Sequence, residues 1–315
     1  MNTTQATAST PHVSPKPMSL MADDSQLLGK PPKGYWRNVG GHLKHDKVAL
    51  VASGLLLLIA LAAIFAPWIA PHDPYETNML DRLTPPVWME QGSSEYLLGT
   101  DELGRDILTR LIYGGRVTLM MSMVPVGLAL LIGSTLGLVA GYVGGRVNML
   151  IMRVTDVFYA FPSILLAVAI SGAMGGGIVT ALFSLTLIFI PPLARITESI
   201  TTKIRNEDYV QAARATGASV FTIIRVHVLS NVLGPVLIYA SSLLSVGIVV
   251  ASGLSFLGLG VSPPIADWGL MLNALREAIY VAPTNAALPG VIIFITCMSF
   301  NLLSDSLRSA MDVRL

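Results

Sequence analysis

Charge is what this sequence lacks most. Only 12% of its 315 residues are Asp, Glu, Lys or Arg, while 53% are hydrophobic. A soluble domain carries about a quarter charged residues because its surface faces water; here something apolar must cover the chain, and lipid is the economical choice. The formal net charge of +1 excludes a basic nucleic-acid face and an acidic tail. The single cysteine, Cys297, excludes an intramolecular disulfide and a cysteine-based metal cluster. It stands inside an apolar run and reads as a small core residue. Catalytic signatures are missing too. No G-x-x-x-x-G-K-[ST] loop is present, since Gly29-Lys30 lacks the preceding glycine, and no H-E-x-x-H, nucleophile elbow or paired carboxylates occur. The chain is therefore not itself an ATPase or hydrolase. No cofactor is assigned to it.

Long apolar runs are what it has. A membrane-crossing helix needs about 20 mostly apolar residues, and six stretches qualify: Val48 to Ile69, Val117 to Val143, Val154 to Ala173, Ile178 to Ala194, Val232 to Ala251 and Leu288 to Leu303. None alternates apolar and polar residues, so a barrel is disfavoured. Backbone groups in lipid must be satisfied internally, which leaves helices. The predicted fold class is an all-α polytopic membrane protein of six transmembrane helices. Ala66 to Ala70 superficially resembles a signal-peptide cleavage site. The run before it is too long and follows about 46 polar residues, so an uncleaved anchor is the better reading.

Orientation follows from the basic residues. With the N-terminus inside, fifteen of the 20 Lys and Arg fall on cytoplasmic segments, and only Arg82, Arg105, Arg110, Arg116 and Arg276 fall outside. The positive-inside rule then places both termini in the cytoplasm. The predicted organisation is a largely disordered cytoplasmic tail over 1–46, a first transmembrane helix over 47–70 and an extracytoplasmic loop with an interfacial helix over 71–116. A five-helix core over 117–315 follows, carrying a cytoplasmic loop at 195–231.

That loop reads as two short helices. Asn206, Glu207 and Asp208 supply capping and favourable charge at a helix start, and Tyr209, Val210, Gln211, Ala212, Ala213 and Arg214 are helix formers with small residues on one side. Gly217 permits a sharp bend. A second helix, Ser219 to Val228, carries Phe221, Ile224 and Val228 on one face. Such a hairpin could dock into a groove on a partner, or simply close a loop; the residues alone weigh these evenly.

Before the second span, Thr100 and Asp101 are N-cap candidates and Gly104 loosens a turn. Ile107, Leu108, Leu111 and Ile112 then give the spacing of an interfacial helix. Within the spans, Asp156 is the one carboxylate clearly inside an apolar segment. Arg153 lies three residues before it, which predicts an ion pair with either a structural or a switching role. No second buried acid accompanies it, which argues against a proton-coupled carrier. Gly127, Gly133, Gly137 and Gly141 recur along the second span as a close-packing face, against either its own bundle or a partner subunit. Met120, Met121 and Met123 read as packing or lipid-facing residues.

The stretch Asp208 to Asn231, DYVQAARATGASVFTIIRVHVLSN, resembles the EAA loop of ABC-importer permeases. Gln211 replaces that motif's glutamate and Ser230 its usual proline. Leu98 to Arg116, LGTDELGRDILTRLIYGGR, is similar to the segment preceding the core of dipeptide and oligopeptide permeases, a family that also handles nickel. Arg153, Asp156 and Phe161-Pro162 match its R-x-x-D…FP pattern. Ser255 to Val261, Pro263-Pro264, Trp268-Gly269 and Phe300 to Asp305 extend the likeness to the C-terminus, with Ser304 and Ser309 where the family commonly has Gly and Asp. The resemblance covers about residues 98–315 and is to the second, C-type permease of the pair.

It implies a type I importer architecture in a bacterial inner membrane, working by alternating access. It implies a homologous permease partner, two ATP-binding subunits that hold ATP and Mg, and an extracytoplasmic solute-binding protein. In that family the loop helix docks on the ATP-binding subunit, which here implicates Tyr209, Gln211, Ala212, Ala213, Gly217 and Phe221. The implied solutes are di- or oligopeptides, with nickel, metal chelates, glutathione or opines as alternatives. A secondary transporter and a non-transporting scaffold are the other readings.

Overall fold

The structure, a computed structural model, describes residues 40, 41 and 43–312. The disordered tail expected over 1–46 therefore falls almost wholly outside the described residues. Helix α1 (Lys47–Ile64) starts on Asp46, whose side chain accepts from the Val48 amide at 2.9 Å, and a kink at Phe65 leads into a single helical turn, Ala66–Ile69. Then follow α2 (Ile107–Val143), α3 (Gly145–Tyr159), α4 (Ser163–Met174), α5 (Ile178–Arg205) and α6 (Asp208–Ala215). The chain ends through α7 (Leu229–Phe256), α8 (Trp268–Ala274) and α9 (Pro283–Asp312). Five helices are long and apolar enough to cross a membrane, and α3 with α4 supplies a sixth span by length and composition, bent by 84°. Pro162, without an N–H and restricting Phe161 before it, explains the break in the expected Val154–Ala173 helix.

Helix α2 corrects the sequence reading. No separate interfacial helix precedes it: Ile107 to Ile112 are its first turns, and its N-cap is Asp106, not Thr100 or Asp101. At 37 residues it is about 55 Å long against a hydrocarbon layer of about 30 Å, so both ends project. The projecting start is held by polar groups. Asp106 accepts from the Thr109 amide and hydroxyl at 3.0 and 2.6 Å, while the Asp101 carboxylate binds Arg105 at 2.7 Å. Arg110 reaches the Pro74 carbonyl at 2.8 Å, and Asn285 at the start of α9 donates to the carbonyls of Thr84 and Thr100, both at 2.9 Å. Buried charge held this way cannot lie flat at an interface. Arg105 and Arg110, two of the five arginines that ran against the positive-inside count, are thus buried inside the fold, while Arg116, at the surface, donates to the Ala63 and Ile64 carbonyls closing α1.

At this same end Trp268 is fully buried, its indole N–H donating to the Leu111 carbonyl at 2.8 Å. Gly114 and Gly115 make room for the ring; a Cβ on Gly114 would come 3.0 Å from it. Asp267 caps α8, accepting from the Thr118 hydroxyl at 2.7 Å and the Leu270 amide at 3.1 Å, and burial pushes its carboxyl above the usual carboxylate range.

The centre of the bundle is the contact of α2 with α5. A Cβ on Gly133, Gly137 or Gly141 would lie 2.7, 2.3 or 2.7 Å from the carbonyl oxygens of Ile190, Ala194 and Glu198. The glycine face therefore packs on its own bundle. Gly127, with nothing within 4 Å of such a Cβ, stands outside that seam. Of the methionines, Met121 is fully buried, while Met120 and Met123 are exposed. Because interiors tolerate little overpacking, Gly137→Val is expected to cost about 3 kcal/mol and Gly127→Val well under 1 kcal/mol. Thermal unfolding of the two variants in detergent checks this, and equal melting shifts would refute the seam.

Candidate functional site

At the end of the bundle opposite Trp268, the hairpin predicted around Gly217 is present in altered form. Helix α6 starts at Glu207 with no side-chain cap, and Asp208 supplies the negative charge in its first turn. Asn206 instead closes α5. The helix ends on Gly217, whose φ of +83° is a left-handed conformation that favours glycine. The Ala218 amide then donates back to the Ala213 carbonyl at 3.1 Å, the closing bond of a Schellman turn.

The second helix is not independent. After a single turn, Val220–Thr222, the chain runs as a π-helix, Ile223–Val228, directly into α7. A π-turn bonds i to i+5, so the buried residues are Ile223 and Val228, five apart, and Phe221 is 72% exposed. The expected face of Phe221, Ile224 and Val228 assumed a 3.6-residue period, which this segment does not follow.

Several contacts lock the hairpin to the bundle. Val210 is fully buried. Arg214 lies over the Tyr142 ring with its guanidinium 5.4 Å from the centroid, and Arg205 donates to the Tyr142 carbonyl at 3.0 Å. Asn231 donates to the His227 carbonyl at 2.7 Å and to the Tyr209 hydroxyl at 3.4 Å, joining the two ends of the motif. Partial burial pushes the Tyr209 phenol above its ordinary range. The outward side carries Tyr209, Gln211, Ala212 and Phe221, while Ala213 turns partly inward against the core. Gln211 donates to the Arg205 carbonyl at 3.2 Å and so faces its own chain rather than standing free.

A second feature escaped sequence reasoning. Between the α3–α4 bend, α5, α7 and α9 lies a cavity of about 630 Å³, walled by apolar residues with Tyr159, Tyr239, Ser245 and Asn301 among them. Small-molecule sites occupy about 300–1,000 Å³. The signal was legible only as isolated polar residues in apolar runs, Tyr239 and Asn301, which no motif joins. Next to it the predicted ion pair is corrected: Asp156 bonds Arg195 of α5, not Arg153, which is exposed on α3. Helix α3 turns Asp156 toward α5, and the positive partner comes from there. Arg195 also stacks on Tyr159, 5.0 Å from guanidinium to ring centroid.

Comparison with known proteins gives the bundle a family. Residues 133–315 match the family model described as "Binding-protein-dependent transport system inner membrane component", and residues 34–86 match "N-terminal TM domain of oligopeptide transport permease C". The chain belongs to this permease family. The di/tripeptide transport system permease protein DppC of Pseudomonas aeruginosa (strain UCBPP-PA14) is 40% identical over 294 residues, covering 93% of this chain and 96% of that one. The glutathione transport system permease protein GsiD of Pectobacterium atrosepticum is 38% identical over 297 residues, covering 94% and 97%. In fold alone, a chain of the inward-facing MetNI methionine ABC transporter matches with a TM-score of 0.55 at 19% identity, over 65% of this permease and 97% of that chain. The permease is thus a multi-pass membrane component of an ABC importer, and its relatives are transport proteins rather than enzymes.

If Val210 anchors α6, Val210→Ala removes two buried methyl groups at a cost of about 1–3 kcal/mol. The α6 amides should then exchange hydrogen at least about fivefold faster while those of α9 hold their rate. Hydrogen-exchange mass spectrometry reads this directly, and uniform loosening of both helices would refute a local anchor.

Proposed function

We propose that the permease carries di- and tripeptides across a bacterial inner membrane, with both termini in the cytoplasm, in a complex driven by separate ATP-binding subunits. The reading that the hairpin is the coupling element rests on one observation above all. Tyr209, Gln211 and Ala212 are exposed on α6 and Phe221 on the turn that follows it, while the inner side of the hairpin is clamped to the bundle. A motor protein gripping the outer side moves the bundle, because Val210, Arg214 and Asn231 leave the hairpin little freedom of its own. The small side chain of Ala212 lets a partner surface approach closely. Two ATP-binding subunits hold ATP and Mg and close on them; a homologous permease completes the pore; an extracytoplasmic binding protein delivers the solute at the Trp268 end. The transport step is alternating access of the bundle.

Peptide cargo is supported by the relatives named for di- and tripeptides at 40% identity. Glutathione, itself a tripeptide with an unusual linkage, is the second reading, supported by the relative at 38% identity. Both are small, charged at two ends and polar along the chain.

The decisive variant is Ala212→Trp, an outward substitution on a helix position with room to accept it. In proteoliposomes of the complete importer, ATP-driven dipeptide uptake is expected to fall at least tenfold, and the ATP-binding subunits to separate on size exclusion, while the melting temperature of the permease stays within about 2 °C. Unchanged uptake and association would remove α6 as the coupling element. A cysteine at Phe221 should react with an impermeant maleimide in inside-out vesicles and not in intact spheroplasts; labelling from the outer side would reverse the topology.

A further inference from the structure

A groove of about 570 Å³ lies between the last turns of α2 and the second arm of the hairpin. It shares no residue with the cavity beside α5, nor with the exposed set Tyr209, Gln211, Ala212 and Phe221. Leu138, Val139 and Val143 form one wall, and Val220, Ile223 and Ile224 the other. The second wall includes the start of the π-turn Ile223–Val228, and such turns recur at functional sites.

The apolar wall is continuous with a longer feature. Leu128, Leu131, Ile132, Leu136, Val139 and Val143 are all exposed, and their spacing sets them on one side of α2, opposite the glycines that pack on α5. On a helix that crosses a membrane, lipid is the natural cover for such a stripe. The stripe runs into the groove at Val139 and Val143, where α2 ends and chains give way to headgroups.

Charge waits at that depth. Arg214 is the charged residue lining the groove, its guanidinium 5.4 Å from the centroid of the Tyr142 ring. Stacking engages the flat face of a guanidinium and leaves the N–H donors in its plane available. Among the described residues no carboxylate pairs with Arg214, and Glu207 and Asp208 at the start of the same helix pair with no cation. Arg205 brings a second positive charge to Tyr142, donating to its carbonyl at 3.0 Å, and it too has no acidic partner among these residues. Guanidinium donors suit phosphate oxygens, and basic pockets between spans on the cytoplasmic side suit anionic headgroups.

We infer that this groove is a binding site for an anionic phospholipid, with an acyl chain along Val139, Val143, Val220 and Ile224 and the phosphate on Arg214. Arg205 strengthens the positive field there. A zwitterionic lipid carries its own cation beside the phosphate and gains less from two guanidiniums. The bound lipid touches α2, α6 and the π-turn together, so the bilayer itself helps to hold the hairpin against the bundle. The inference rests on the membrane-spanning fold and on neither the cargo nor the coupling role of α6.

The test uses the complete importer in phosphatidylcholine nanodiscs that carry a minor share of a photoactivatable lipid. The probe has a diazirine on one acyl chain and either a phosphatidylglycerol or a phosphatidylcholine headgroup. Peptide mapping is expected to find the phosphatidylglycerol probe on residues 138–143 and 220–224 at least about tenfold above the phosphatidylcholine probe. Unlabelled phosphatidylglycerol displaces it; inorganic phosphate and glycerophosphoglycerol, the headgroup without chains, do not. Arg214→Gln is expected to lower the selectivity about fivefold, and Val139→Trp, which fills the groove and keeps the charge, to remove the label for both headgroups. If Arg214→Gln fails to fold, Val139→Trp and the headgroup comparison on the wild-type complex decide. Equal labelling by the two headgroups, displacement by the chain-free headgroup or by phosphate, or labels that survive Val139→Trp would overturn the inference. So would a groove without label, the result of a partner subunit seated there. Both leaflets of the nanodisc hold the same lipids, so neither a reversed topology nor a different cargo alters these outcomes.

Discussion

The interlock of α2 with α5 is the constraint on which the molecule depends. Three glycines of one helix rest against three backbone carbonyls of the other, and the absence of side chains there lets two long helices approach as lipid alone would not make them. Because α2 projects at both ends, this one seam fixes two distant structures to a common frame. At one end are the buried carboxylates and arginines around Asp101 and Asp106, with the Trp268 helix. At the other is Tyr142, on which Arg214 stacks and to which Arg205 bonds.

Helix α5 carries the same frame toward function. Its middle holds Pro191 and Pro192 beside the cavity, its next turns hold Arg195, and its end runs within three residues into α6. The hairpin therefore follows directly on the helix that walls the cavity. The π-turn between the hairpin and α7 adds a second connection, since Ile223 and Val228 bury where an α-helical continuation would have put other residues. The hairpin is thus joined to α5 on one side and to α7 on the other.

Polar side chains are divided accordingly. At the Trp268 end they are mostly buried and structural, as with Asn285 bridging Thr84 and Thr100. In the cavity Tyr159 and Asn301 are exposed, while Ser245 is buried and bonded to Asn301. This division is invisible in a list of residue types.

Hydropathy alone placed the six spans, because a run of some 20 apolar residues has few other places to go. The motif around Gly217 was also legible, since a left-handed turn after a small-residue helix needs glycine whatever surrounds it. The sequence by itself determined the membrane class, the number of spans and the position of the hairpin, all of which depend on local composition or local backbone chemistry. Tertiary structure decided what depends on which residues meet: that Asp156 takes Arg195 rather than Arg153, that Gly127 is left out of the seam, that Asp106 and not Thr100 starts α2, and that Tyr239 and Asn301, 62 positions apart, share one cavity. Pairing across helices is set by their packing angle and depth, and no short window of sequence records either.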